Sequence, residues 1–327
     1  MSNDIDEDQS NFNKILRTNR PLITNSSINV YLSGIRSIGK DIKIPLNTLD
    51  DIVDNHSLIL QALMKYKPSI RKTKIAGFIS LLDRKDKNPK EIDDIIKDYR
   101  VQMIKDAEEV NNNEMKQKFS KKQEDNYISW DEVEDIYKKM SVESLPILKA
   151  LKSLNDGKIF DKLQKFILLS MYVLIPPRRS MDYANFKIHN IDVDNDNFLS
   201  TIQRKNFFVF NSYKNKNKLG TQQVPIPPEL AYIVKKWTKI NDSDYLISTK
   251  TKGKVSQVRI NQLLNDIFNK KIGSSMLRHI YLTHHFKNVD LQKLKDTTDA
   301  MGSSQIERTL KYVNKNETES NNETEDD

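Results

Sequence analysis

The sequence predicts a mainly α fold with one small antiparallel sheet: an α+β C-terminal domain preceded by an all-α N-terminal domain. Three observations carry this. Apolar residues recur at helical spacing over most of the chain, strand-like runs are confined to residues 198–226, and a polar stretch over 106–127 separates two periodic blocks. At 327 residues the chain has room for two domains of about 100–200 residues each.

Residues 1–20 are polar, acidic and aperiodic, and read as disordered. Order begins near Pro21. Thr24-Asn25-Ser26-Ser27 is a capping cluster, after which Ile28, Tyr31, Leu32, Ile35 and Ile38 form one helical face ended by Gly39. Short helices follow around Leu46–Val53 and Leu58–Tyr66. Pro68 opens a helix carrying Ile70, Ile75, Phe78, Ile79 and Leu82. A weaker stripe of Ile92, Ile95, Ile96, Tyr99 and Met103 completes an all-helical domain over 21–105, and 106–127 reads as a linker.

Ser129-Trp130-Asp131-Glu132 is a capping box that starts a helix to about Met140 and a second domain over 128–313. Within it Phe160–Leu174 is a strongly apolar helix stopped by Pro176-Pro177. Phe198–Ile202 and Phe207–Tyr213 read as strands, and Val224-Pro225-Ile226 closes a third after a Lys/Asn/Gly turn. Helices follow over roughly Pro228–Lys239, Gln257–Phe268, Ser275–Phe286, Asp290–Ala300 and Ser304–Tyr312. Residues 314–327 form an acidic tail that reads as disordered.

Composition narrows the chemistry. There is no cysteine, which removes disulfide scaffolds, thiolate metal sites and cysteine nucleophiles. No apolar run approaches the roughly 18–20 residues of a membrane span, and the acidic start MSNDIDEDQS is unlike a secretory or mitochondrial presequence. The expectation is an intracellular protein acting where its substrate lies. The net charge is +8, but residues 1–10 carry −4 and 314–327 carry −5, so 11–313 holds +17. A body that basic suits a polyanion, through release of counterions from phosphates. A solvated Lys-rich surface would give the same count.

Four features of the second domain carry chemistry by residue type. Arg179, in Pro176-Pro177-Arg178-Arg179-Ser180-Met181-Asp182-Tyr183, has a planar fork suited to two phosphate oxygens, although pairing with Asp182 would also employ it. Lys214, Lys216 and Lys218 alternate with Asn at a hairpin tip, where a lysine of lowered pKa can protonate a leaving oxygen. Ser275-Met276-Leu277-Arg278-His279 opens a helix, a natural anion site. Tyr312 closes the run Met301-Gly302-Ser303-Ser304-Gln305-Ile306-Glu307-Arg308-Thr309-Leu310-Lys311-Tyr312. His279, His284 and His285 cluster, but spacings of five and six do not share a helix face and no carboxylate pair completes a metal site.

In order and spacing these features together resemble the tyrosine recombinase (phage-type integrase) family, most closely integrases of large DNA viruses and their satellites. The similarity lies in Arg179 with Asp182 and Phe186, in Ser275, Leu277, Arg278 and His279, and in Met301-Gly302-Ser303-Ser304-Gln305-Ile306 with Thr309 and Tyr312. It covers about 128–313 and extends weakly to 21–105 through Lys67-Pro68-Ser69-Ile70-Arg71-Lys72-Thr73-Lys74.

The resemblance implies a site-specific recombinase that cleaves and rejoins DNA through a 3′-phosphotyrosyl intermediate, as a homotetramer on double-stranded DNA, without metal or cofactor. It gives Tyr312 the nucleophile's role, Arg179 and Arg278 the phosphate, Lys214 the general acid, and Ser275 and Ser303 neutral hydrogen bonds, with Asp182 and His279 in support. Lys67, Arg71, Lys72, Lys74, Lys216 and Lys218 become DNA contacts. Ser275 stands where the family carries His or Lys, and Ser303 where it carries His, each a change from a charged donor worth about 1.5–3 kcal/mol to a neutral one worth about 0.5–1.5 kcal/mol. A type IB topoisomerase-like relaxing enzyme and a catalytically weak DNA-binding accessory protein are the alternatives.

Overall fold

The computed structural model describes residues 4–84, 88–115, 121–154, 156–286 and 291–302. The chain divides into two compact units, Met1–Lys116 and Gln117–Asp327, each with its own hydrophobic core.

The described regular elements of the first unit are all helices: α1 (Asp4–Asn19), α2 (Asn25–Ile42), α3 (Leu49–Asp54), α4 (His56–Leu63), α5 (Pro68–Leu82) and α6 (Lys90–Met115). The segment 1–20, expected to be disordered, forms α1 from Asp4 onward. Phe12 and Leu16 are buried in the core, and the Asn19 amide donates to the carbonyls of Ser80 and Leu81 at 3.1 and 2.9 Å. Two apolar residues one turn apart are too short a stripe to read among acidic neighbours.

Thr24 caps α2, its Oγ accepting from Ser27 N at 3.2 Å, and Ile28, Leu32, Ile35 and Ile38 are all buried. The helix passes Gly39 and ends at Lys43, which takes the left-handed conformation (φ 60°). Gly39 is a point of close approach, since a Cβ there would lie 2.9 Å from the Ile44 carbonyl. From Gly77 to Leu82 every residue of α5 is buried, and Phe78 stacks on Tyr99 of α6 at 5.7 Å between centroids. Residues 106–115, expected in the linker, continue α6.

The second unit opens with α7 (Lys121–Glu124) and α8 (Trp130–Ala150). The capping box at Ser129 is present: Ser129 Oγ accepts from Glu132 N at 3.2 Å and Glu132 Oε2 accepts from Ser129 N at 2.8 Å. The helix does not stop near Met140 but carries Pro146 and runs to Ala150. α9 (Gly157–Val173) is the axis of the core, with Leu163, Phe166, Ile167, Leu168, Leu169, Met171 and Tyr172 inaccessible to solvent. After α10 (Ser180–Ala184) come β1 (Phe198–Ile202), β2 (Lys205–Phe210) and β3 (Gln222–Pro225), an antiparallel sheet in the order β1-β2-β3.

Gln203 and Arg204, at φ 48° and 64°, form a two-residue turn between the paired Ile202 and Lys205. Two left-handed residues in succession match the twist of the strands they join. The β2–β3 connection holds α11 (Lys216–Leu219), and the chain continues through α12 (Pro228–Ile240), α13 (Gln257–Phe268), α14 (Ser274–His285) and α15 (Leu291–Ala300). The molecule is mostly helical with one small antiparallel sheet. The predicted helix over Ser304–Tyr312 and the tail 314–327 lie outside the described residues.

Candidate active site

Pro176 and Pro177 follow α9 and force an extended turn, so Arg179 enters as the N-cap of α10 in the β region (φ −73°, ψ 149°). Its carbonyl accepts from Asp182 N at 2.9 Å, the first bond of that helix. The side chain that pairs with Asp182 is that of Arg178, not Arg179. Arg178 Nε meets Asp182 Oδ2 at 2.8 Å, and both side chains are fully buried. Arg178 also donates to the Ala300 carbonyl and, at 3.0 Å, to Gln222 Oε1, and its guanidinium lies 3.8 Å from the Phe210 ring centroid.

Asp182 gathers the site's positive charge. Burial pushes its carboxyl above the usual range, against the opposing pull of Arg178, Arg179 and Arg278. Asp182 Oδ1 has no hydrogen-bond partner among the described residues. Arg278 comes from α14, where it is buried. The approach of α14 to α10 is fixed by hydroxyls. Ser180 Oγ lies 2.7 Å from Ser274 Oγ and donates to Asn261 Oδ1 at 2.9 Å, and the same Asn261 oxygen accepts from Ser274 N at 3.0 Å. Ser275 follows, exposed in the first turn of α14, and His279 is half-buried one turn on. His285 is stacked on Tyr281 at 3.9 Å and meets the edge of Trp130.

The Lys/Asn run is not a bare hairpin tip. It is a folded connection containing α11, pinned by the buried Asn197, whose Oδ1 accepts from Asn211 N and Ser212 N at 2.8 and 2.7 Å. Lys216 turns inward, donating to Asn211 Oδ1 and Thr221 Oγ1 at 2.9 and 2.7 Å. Lys214 and Lys218 are exposed.

Next to Lys214, the Asn215 amide donates to the Gly302 carbonyl at 2.5 Å, and Arg179 Nη1 donates to the same oxygen at 3.1 Å. Gln222 Nε2 bonds the Asp299 carbonyl at 2.8 Å. The end of α15 is thus held against Arg178, Arg179 and the β2–β3 connection. Ser303 and Tyr312 lie outside the described residues.

In the first unit Lys67 is exposed and Lys72 half-buried, while Lys74 Nζ sits 4.4 Å from the Tyr66 ring centroid. Burial lowers the Lys74 pKa. Arg71 departs from the expected DNA-facing set. It is buried and ion-paired with Asp106, Nη2 to Oδ1 at 2.7 Å. Among the described residues no three His, Asp or Glu side chains gather as a metal site, and no helix is long and apolar enough to cross a membrane.

Sequence reasoning missed Arg178, Asn197, Asn215 and Gln222. For Arg178 a signal existed in its separation of four from Asp182, a spacing at which two side chains can meet. Asn197, Asn215 and, apart from its bond to Arg178, Gln222 act on backbone carbonyls and amides, which no side-chain motif records.

No model of a known protein family matches this chain, and no curated protein does. Solved structures similar to it include XerA recombinase, at 14% identity over 94% of this chain and 93% of that one, TM-score 0.39. A lambda integrase(75-356) dimer bound to a COC' core site is 12% identical over 94% of both chains, TM-score 0.49. A lambda integrase tetramer bound to a Holliday junction is 13% identical over 94% of this chain and 77% of that one, TM-score 0.48. Both proteins are tyrosine recombinases. At TM-scores of 0.39 to 0.49 the likeness assigns neither family nor chemistry.

Proposed function

We propose that this protein is a DNA strand-exchange enzyme of the tyrosine recombinase type. The observation that carries the reading is the Ser180–Ser274 hydroxyl contact at 2.7 Å, which joins the start of α10 to the start of α14 and so brings Arg179 and Arg278, from two separate sequence boxes, near the buried acid Asp182 that Arg178 ion-pairs. Two guanidiniums brought together from separate helices suit an anion clamp whose donors are oriented before the substrate arrives, the arrangement that contributes most to stabilising a developing oxyanion.

In this reading Tyr312 loses its phenolic proton to solvent and attacks a scissile phosphorus. The bond to the 5′ oxygen breaks, leaving a 3′-phosphotyrosyl link. Arg179 and Arg278 hold the non-bridging oxygens, and Lys214 donates the proton that the departing 5′ oxygen takes up. Attack by a 5′-hydroxyl of a partner strand reverses the step, returns the phenol and completes exchange. Ser275 and Ser303 supply neutral hydrogen bonds to phosphate. The active assembly is a homotetramer on double-stranded DNA, and the element served is that of a large DNA virus or a satellite.

A catalytically silent DNA-binding protein is the second reading, favoured by the exposed hydroxyl of Ser275 in place of a cationic donor. The test is detergent-resistant protein–DNA adduct formation by wild type and Tyr312→Phe on genomic DNA from the source. Adduct in the wild type alone supports strand exchange. Adduct in both removes Tyr312 as nucleophile, and tight DNA binding with no adduct in either supports the second reading.

A further inference from the structure

We infer that Arg178 is a positioning residue that sets where the chain leaves α15 relative to Arg179, and so where the Tyr312 segment begins. The inference rests on the strand-exchange reading for its catalytic consequence, but its structural part stands apart from it. A fully buried arginine is rare unless every face of it is engaged. Arg178 meets that condition with three separate segments: Asp182 of α10 through Nε at 2.8 Å, the Ala300 carbonyl at the end of α15 through Nη1, and Gln222 of β3 through Nη2 at 3.0 Å. Its flat face rests on Phe210 of β2.

Gln222 extends the tie by bonding the Asp299 carbonyl. At Gly302 (φ 65°) a Cβ would lie 2.8 Å from Arg178 Nη2, so the guanidinium leaves room there only for glycine. One cation therefore links the turn that presents Arg179 to the last described residues before Ser303. A lysine would keep the charge but has no planar fork with which to reach three segments at once.

The test compares wild type, Arg178→Lys and Gln222→Ala, the last leaving the buried Arg178–Asp182 pair intact should Arg178→Lys fail to fold. Three quantities are read: DNA affinity, the rate of adduct formation, and amide hydrogen exchange across 296–302, where Met301 N and Gly302 N donate to Thr297 O and Asp299 O at 2.9 Å.

Displacement by about 1 Å is enough to lower the adduct rate about 100-fold in Arg178→Lys. DNA affinity stays within about threefold, and exchange over 296–302 quickens about tenfold while β1 and β2 keep their protection. Gln222→Ala shifts rate and exchange the same way by less. Unchanged exchange over 296–302 in both variants overturns the tether, whatever the activity. Quickened exchange with a wild-type adduct rate overturns the catalytic consequence. Quickened exchange in a protein whose wild type forms no adduct supports the tether and removes the strand-exchange reading instead.

Discussion

Arg71→Met separates a structural arginine from a DNA contact. The guanidinium reaches Asp106 three ways, Nη2 to Oδ1 at 2.7 Å and Nε to both oxygens at 2.9 Å, with the two side chains 9% and 1% exposed. Methionine fills much of the stem's volume but leaves the Asp106 carboxylate buried with the Gln102 amide, which donates at 2.9 Å. Breaking a buried pair from one side in this way costs about 3–5 kcal/mol, whereas replacing both partners with apolar groups is often near neutral.

Arg71→Met should therefore destabilise the first unit by about that amount, and adding Asp106→Leu should recover most of it. The two tryptophans, Trp130 and Trp237, both lie in the second unit, so their fluorescence follows that unit while far-UV circular dichroism follows both. In urea the fluorescence midpoint should hold, and the dichroism transition of the first unit should fall by roughly 2 M for a slope of about 2 kcal/mol per M. An unmoved dichroism midpoint, with a flatter salt dependence of DNA binding, would return Arg71 to the DNA-facing set and refute the argument.

Gly302→Ala places a side chain in the left-handed region at about 1–2 kcal/mol and against Arg178 Nη2 at 2.8 Å. It should slow adduct formation at least about tenfold with DNA affinity retained, measured by adduct time courses beside filter binding. Lys67→Gln and Lys72→Gln should each reduce the slope of log affinity against log salt by about 1, measured by titration at several salt concentrations; an unchanged slope takes these lysines out of the interface. Asp51 gives a pH test. Burial raises its pKa, but the Thr48 and Asn47 amides, at 2.8 and 2.9 Å, outweigh this and hold it below 3.8. Its contribution is present above 3.8 and lost as pH falls through the lowered value, so the stability gap between wild type and Asp51→Asn should be open at about pH 6 and close on acidification, followed by urea unfolding.

Where a helix has a long apolar face and a polar cap, the sequence reading and the structure coincide. α13 spans the predicted Gln257–Phe268 and β1 the predicted Phe198–Ile202. Apolar spacing and capping hydroxyls are local, and local signals survive in a single sequence. α1 was illegible because its stability comes from outside itself, through two core residues and one asparagine bonding the end of α5. α8 passed its expected end because a weak amphipathic pattern continues beyond Met140 and Pro146 did not stop it. The β2–β3 connection failed for a third reason. Its Lys/Asn composition reads as solvent-facing, yet Asn197, fourteen residues upstream of Asn211, supplies the carbonyl oxygen that folds it.

The tandem arginines show where spacing ends and geometry begins. From sequence, Asp182 is three residues from Arg179 and four from Arg178, and both separations put side chains on neighbouring positions of a helix. The choice is made by where α10 begins. Arg179 is the N-cap, and its extended backbone turns the side chain out of the helical register and toward the Gly302 carbonyl. Arg178 lies before the cap, yet its guanidinium folds back onto Asp182 because Phe210 and Tyr213 close over it. The boundary is set by Pro176-Pro177 on one side and by the Ser180–Ser274 bond to α14 on the other. The division between a buried, tethering arginine and one at the edge of the site is therefore a property of two helices meeting, not of the dipeptide itself.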